Sequence, residues 1–133
     1  MSHPAEAELI KAAIAASEMA YIPYSDYRVG AALLTLDGDV YTGCNVESAS
    51  YSPTICAERT ALVKAISEGK REFSAVAVVT RDGGSPCGVC RQLLYEFSPG
   101  MIVIMADLEG AVHQRSTLAE LLPFGFGPAN LQG

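Results

Sequence analysis

The sequence predicts an α/β fold, a mixed sheet covered by helices on both faces. Three observations carry this: an apolar stripe of helical period near the N-terminus, a hairpin signal at Asp37-Gly38, and beyond it buried-strand patterns alternating with helical ones. At 133 residues the chain reads as a single domain, 1–133, long enough to bury about two-thirds of the surface its unfolded form exposes. No repeat, low-complexity tract or linker-like stretch suggests a boundary.

Leu9, Ile10, Ala13, Ile14, Ala16 and Ala20 recur at helical spacing, with Glu6, Glu8, Lys11 and Glu18 between them. With Ser2 as a cap and Pro4 in the first turn, they predict an amphipathic helix from about Pro4 to Met19. Pro23 interrupts the pattern, so Tyr21 to Asp26 is expected to be a loop, its tyrosines packed with their hydroxyls in water. Arg28 to Leu36 and Val40 to Val46 flank Asp37-Gly38 and predict two antiparallel strands. Gly30, Ala31 and Ala32 are small for a strand core, which implies a close neighbour there, for which a tightly packed helix is enough.

Cys56 to Glu68 has helical character and stops at Gly69; Phe73 to Thr80 reads as a buried strand. Cys87 to Phe97 is the next helix, ended by Pro99-Gly100, and Met101 to Ala106 another buried strand. Ala111 to Gln114 is expected as a short edge strand, Thr117 to Leu122 as a short helix, and Pro123 to Pro128 as a tail without regular structure.

Composition narrows the function. The net charge of −6 weighs against nucleic-acid partners, which need clustered Lys and Arg, and favours a small neutral or cationic ligand. No apolar run approaches the roughly 20 residues of a membrane span, and no basic segment followed by an apolar core opens the chain. The protein is therefore expected to be soluble and cytoplasmic, where Cys44, Cys56, Cys87 and Cys90 serve as thiols or metal ligands rather than disulfides.

Cys56 and Cys87 both stand at helix starts, where unpaired amides and the helix dipole favour the thiolate. Together with Cys90 they offer three soft ligands for Zn²⁺ and leave a fourth position for water. Zinc lowers the pKa of such a water from about 15.7 toward about 7. Three sulfur charges oppose that fall, so a cation beside them, Arg59 or Arg91, is expected to help. Glu58, two residues after Cys56, is placed to carry the proton between water and substrate. Other readings fit the same residues. Cys44 can complete a closed Cys₄ structural site, Cys87-Gly88-Val89-Cys90 can be a redox dithiol, and Glu58 can be an ordinary first-turn acid. Asn45 and Glu47 alternate at the end of the second strand and can offer a donor and an acceptor to a hydroxylated ligand, or be a solvated strand end. His3, near the terminus, and His113, on the expected edge strand, are not read as ligands.

These residues resemble the small homotetrameric cytidine deaminases of pyrimidine salvage. The matching motifs are Tyr24-Ser25, Val29-Gly30-Ala31-Ala32, Gly43-Cys44-Asn45-Val46-Glu47, Cys56-Ala57-Glu58-Arg59-Thr60-Ala61, Ser85 to Gln92, Leu121-Leu122-Pro123 and Phe126-Gly127-Pro128, in family order along nearly the whole chain. The resemblance implies a three-layer α/β/α sandwich around a five-stranded mixed sheet. It also implies hydrolytic deamination of free cytidine and 2′-deoxycytidine to uridine and 2′-deoxyuridine, with zinc on Cys56, Cys87 and Cys90, hydroxide attacking C4, and Glu58 as proton shuttle. By the same resemblance Asn45 and Glu47 bind the ribose, the Ala57 amide the base carbonyl, and the Ser85 carbonyl the departing amine. Arg59 offsets the sulfur charge, while Phe126 reaches the base of a neighbouring subunit and Tyr51 makes a contact across subunits, so that the active sites are shared in a homotetramer. Two positions depart from the family pattern: Tyr27 stands where phenylalanine is usual, its added hydroxyl able to reach for a ribose oxygen, and Ser48 where asparagine is usual. Both bear on substrate preference. A related activity, deamination of an aminoacyl-nucleoside antibiotic such as blasticidin S, shares the zinc motif, and Asn45 with Glu47 argues instead for an unmodified ribose.

Overall fold

The computed structural model describes residues 3–132. Its elements are α1 (His3–Ser17), β1 (Gly30–Thr35), β2 (Val40–Cys44), α2 (Ala57–Ser67), β3 (Phe73–Thr80), α3 (Gly88–Phe97), β4 (Ile102–Asp107), β5 (Val112–Thr117), α4 (Leu118–Leu121) and α5 (Pro128–Gln132). The strands form one sheet in the order β2-β1-β3-β4-β5, in which only the β3–β4 pair is parallel. The expected five-stranded mixed sheet between helical layers is what the chain forms.

Side chains alternate across the strands, so each strand feeds two cores. On one face Leu9, Ile10 and Ala13 of α1 pack on Ala32, Ala75, Ala77 and Ala106. On the other, Ala57, Ala61 and Leu62 of α2 with Leu94 of α3 cover Leu33, Val76, Val78 and Val103. The first face is small because α1 lies close. A Cβ on Gly30 would stand 2.0 Å from the Ala13 carbonyl oxygen, so a tightly packed helix, not a ligand, explains that glycine.

The topology gathers the chemistry at one sheet edge. Strand β2 leads through α2 to β3, which runs parallel to it one strand beyond β1, and β3 leads through α3 to parallel β4. Right-handed crossovers in one direction put both helices on the same face with both N-termini at the strands' C-terminal edge.

Helix α2 starts hard against β2. A Cβ on Gly43 would lie 2.5 Å from the Ala57 carbonyl oxygen and 2.6 Å from the Ala61 nitrogen, both backbone atoms with no room to yield. Gly43→Ala is therefore expected to cost about 1–3 kcal/mol of stability by pushing α2 off the sheet. Urea unfolding of the two proteins measures it, and equal midpoints would mean that α2 moves freely.

Several boundaries differ from expectation for local reasons. Helix α1 ends at Ser17 because the next three amides bond three residues back instead of four, as from Glu18 to the Ala15 carbonyl. The expected Ser2 cap lies outside the described residues. Glu6, expected on the solvated face, is only 9% exposed and pairs with Arg115 of β5 at 2.6 Å. Strand β5 is longer than expected and is an edge strand, and α4 begins in a capping box between Thr117 and Glu120. The C-terminal tail, expected to be irregular, contains α5; five residues are too few to show a helical period. Among the described residues no helix is long and apolar enough to cross a membrane.

Candidate active site

Cys56 is the N-cap of α2 in extended conformation (φ −76°, ψ 155°), and its side chain makes no capping bond, which leaves the sulfur available. Cys87 caps α3 in the same conformation, and Cys90 lies one turn on. The Cys56 and Cys87 sulfurs are 3.7 Å apart, those of Cys87 and Cys90 3.4 Å. Four tetrahedral bonds of about 2.3 Å to zinc hold sulfurs about 3.8 Å apart, so the three thiols need only small adjustments to bind one zinc ion. The Cys56 thiol is lowered to about 5, first by a hydrogen bond from Cys90 and then, against burial, by the Arg59 guanidinium. Cys90 is pushed up by the same contact and by burial. Sulfurs this close favour thiolate on Cys56, and such a donor set suits a borderline-soft dication such as zinc.

Cys44 does not join the cluster, which among the described residues consists of Cys56, Cys87 and Cys90. It ends β2 outside that cluster, and a closed Cys₄ site is not formed. Cys44→Ala is expected to leave zinc content unchanged, which metal analysis of the purified variant checks; loss of the metal would restore the four-cysteine reading.

The two candidate arginines separate cleanly. The Arg59 Nη2 lies 3.6 Å from the Cys56 sulfur and donates to the Thr54 carbonyl at 3.3 Å. Its Nε is buried without a hydrogen-bond partner. Arg91 instead holds the loop before α3, donating to the Pro86 and Leu121 carbonyls and to the Ser85 hydroxyl at 2.7–2.8 Å. Arg59 thus lies against the Cys56 sulfur, and Arg91 braces the loop.

A cavity of about 330 Å³ opens beside the sulfurs, lined by Cys56, Cys87, Glu58, Asn45, Glu47 and Tyr27 among others. Glu58 is 3% exposed, and burial, with the nearby Cys56 charge adding, pushes its carboxyl up to about 7. A carboxyl held there exchanges protons in both directions near neutral pH. Ala57 is the first residue of α2 and fully buried; its amide has no acceptor within the helix, as for any residue in that turn. Ser85 is part of the same lining.

At the other end of the cavity Asn45 accepts from the Val29 amide at 3.0 Å and donates to the Tyr27 carbonyl at 2.8 Å, which fixes its amide orientation. Glu47 accepts from the Tyr24 and Ser25 amides at 3.1 Å and from the Ser25 hydroxyl. These bonds hold its carboxyl below the usual range, so it stays an acceptor at neutral pH. The Tyr27 hydroxyl, which the sequence left free to alter affinity or to reach for a ribose oxygen, donates to Asp82 at 2.6 Å. Ser48 donates its amide to the Thr54 hydroxyl and turns its own hydroxyl to Ser50.

Tyr51 and Phe126, expected to act across subunits, stand apart from this chain's own cavity. Tyr51, in the left-handed region at φ 65°, and Phe126 are 77% and 56% exposed, and neither lines the cavity. The Phe126 carbonyl is tied to Gln92 at 2.7 Å. Sequence reasoning missed Thr80 and Thr54 as wall residues and Asp82 as a partner of the wall. The one signal for Thr80 was its place at the C-terminal end of a buried strand, where α/β sheets bind ligands.

The family model "Cytidine and deoxycytidylate deaminase zinc-binding region" matches residues 4–106. Curated cytidine deaminases from Sporosarcina psychrophila and Halalkalibacterium halodurans are similar at 50% identity over 127 residues and 53% over 121. These alignments span 93% of both chains in the first case, and 89% of this chain and 91% of the relative in the second. Among solved structures, cytidine deaminase from Burkholderia pseudomallei superposes with a TM-score of 0.86 at 48% identity, covering 95% of this chain and 100% of the other.

Proposed function

This chain belongs to the cytidine and deoxycytidylate deaminase family, and on that premise we propose that Cys56, Cys87 and Cys90 hold its zinc and Glu58 moves the protons of its reaction. The chain is a zinc-dependent cytidine deaminase, which converts cytidine and water to uridine and ammonia. The observation that carries the residue assignment is a buried carboxyl poised at about 7 in a cavity lined by two of three converging sulfurs.

Zinc on these thiols supplies a Lewis acid that brings the pKa of water from about 15.7 toward about 7. Glu58 accepts the proton of the attacking water on a carboxylate oxygen as the C4 carbon is attacked. It returns that proton to the ring nitrogen beside C4, then passes the second one to the amine, which leaves as ammonia. The Ala57 amide holds the base carbonyl, and the Ser85 carbonyl accepts from the departing amine. Asn45 and Glu47, each braced by backbone groups, bind sugar hydroxyls without a cost in reorganisation. Hydroxyls shared by ribose and deoxyribose make 2′-deoxycytidine a second substrate. Arg59 keeps the sulfur charge from weakening the metal's pull on water.

The exposed Phe126 and Tyr51 are assigned to the sites of neighbouring subunits in a homotetramer, their large apolar surfaces being unsuited to water. One sheet serves the whole chain as one domain, and the free thiols of the ligand set suit the reducing cytoplasm. The net charge of −6 supports a free nucleoside over a nucleic acid. The test is direct: purified protein is given cytidine while ammonia is followed and zinc is measured in the same sample. Ammonia release with about one zinc per chain is expected; a zinc-loaded protein inert toward cytidine would refute the assignment.

A further inference from the structure

Tyr27 connects the two ends of the cavity. Its amide donates to the Ser25 hydroxyl at 3.0 Å, and Ser25 in turn binds Glu47; its carbonyl accepts from Asn45 at 2.8 Å. Through its backbone it belongs to the sugar end. Its side chain crosses to the loop between β3 and α3, the loop that leads to Ser85 and Cys87. There its hydroxyl donates to Asp82 Oδ1 at 2.6 Å, and the same oxygen accepts from the Thr80 hydroxyl at 3.0 Å. The Thr80 oxygen accepts from the Gly84 amide at 2.9 Å, and the Arg81 guanidinium carbon stands 4.9 Å from the centre of the Tyr27 ring.

Each contact has a role in this arrangement. Thr80 and Tyr27 both line the cavity, so a chain of hydrogen bonds from Gly84 through Thr80 and Asp82 fixes the ring that forms its wall. A ring attached at a free hydroxyl turns about two side-chain torsions; one anchored at both ends does not. Asp82 is exposed and lines no part of the cavity, so any effect it has on substrate passes through Tyr27 or through the loop.

We propose that Asp82 is a positioning residue for nucleoside binding, acting through the Tyr27 hydroxyl to hold the aromatic wall of the cavity against the bound base and sugar. The inference rests on the deaminase reading of the same site. It assigns the tyrosine hydroxyl to the protein's own framework and not to a substrate oxygen. The ionised Asp82 is the stronger acceptor for this bond, and the hydrogen bonds from Tyr27 and Thr80 hold its carboxyl below the ordinary range.

The experiment compares steady-state kinetics on cytidine for the zinc-loaded enzyme and for Asp82→Ala, Asp82→Asn, Tyr27→Phe and the Tyr27→Phe/Asp82→Ala pair. Asp82→Ala is expected to raise KM about fivefold while kcat changes by less than about twofold. Tyr27→Phe should raise KM similarly, and the double variant no further than Asp82→Ala alone, because the Tyr27–Asp82 bond is lost in all three. Asp82→Asn keeps a carbonyl acceptor and should restore most of the loss. Multiplying effects in the double variant, an unchanged KM in Asp82→Ala, or a loss confined to kcat or zinc content would each overturn the proposal. A wild-type enzyme inert toward cytidine would instead remove the reading beneath it, so the two failures are distinct.

Discussion

Glu58→Gln is expected to keep zinc bound and to lower kcat for cytidine by about 10²–10⁴-fold. Glutamine preserves shape and polarity but cannot take a proton from water at neutral pH. The loss should therefore fall on kcat, with little change in KM, because the interaction removed exists chiefly in the transition state. The folded protein should not suffer. The carboxyl is almost fully buried and pushed up to about 7, so an amide of the same size removes a group that ionises there only at a cost. Above that pH the variant should be at least as stable as the parent, since a carboxyl with a raised pKa loses stability as pH climbs from its unfolded value through its folded one. Metal analysis, ammonia release and thermal unfolding on one preparation separate these claims. A variant that retains full kcat would end the assignment of Glu58 as proton carrier.

Cys87→Ser is expected to weaken zinc binding by more than about 100-fold, beyond the effect of losing a group that merely supports a ligand. Cys87 is the informative choice among the three. Cys90 is fully buried and its loss would confound metal binding with core packing, whereas Cys87 is exposed. Its sulfur also caps α3 by accepting from the Cys90 amide at 3.5 Å, and serine is a strong N-cap, so the helix start survives the exchange. The variant should fold, show little activity, and lose the thermal stabilisation that zinc confers on the parent. Titration with a competing chelator and unfolding with and without zinc read both effects. Tight zinc binding by the variant would mean that the metal sits elsewhere.

Much of the architecture was legible because it is written in near neighbours. Strand β3 spans Phe73–Thr80 as read, since eight consecutive residues of mostly apolar character admit few other fates. The starts of α2 and α3 fell within one residue of expectation, as Cys56 and Cys87 are the residues just outside the first turn. Helix α5 was not legible, being shorter than two turns. The alternation of Asn45 and Glu47 pointed to a shared face, and both line the cavity, but the bonds from the Tyr24 and Ser25 amides that orient Glu47 cross 23 and 22 residues of sequence. The Tyr27–Asp82 bond spans 55 and had no local signal at all.

The sequence alone determined the order of elements and the chemistry on offer: three thiols at helix starts, a carboxylate beside the first, and two arginines near them. Periodicity, caps and turn residues act over a few positions, so they can be read from the chain directly. Tertiary structure decided which of these groups meet. Two crossovers of the same hand brought Cys56 to Cys87 and Cys90, left Cys44 on its strand, turned Arg59 to the sulfur and Arg91 to the loop, and closed the Tyr27 hydroxyl onto Asp82. Such choices depend on sheet register and crossover handedness, which join residues distant in the chain.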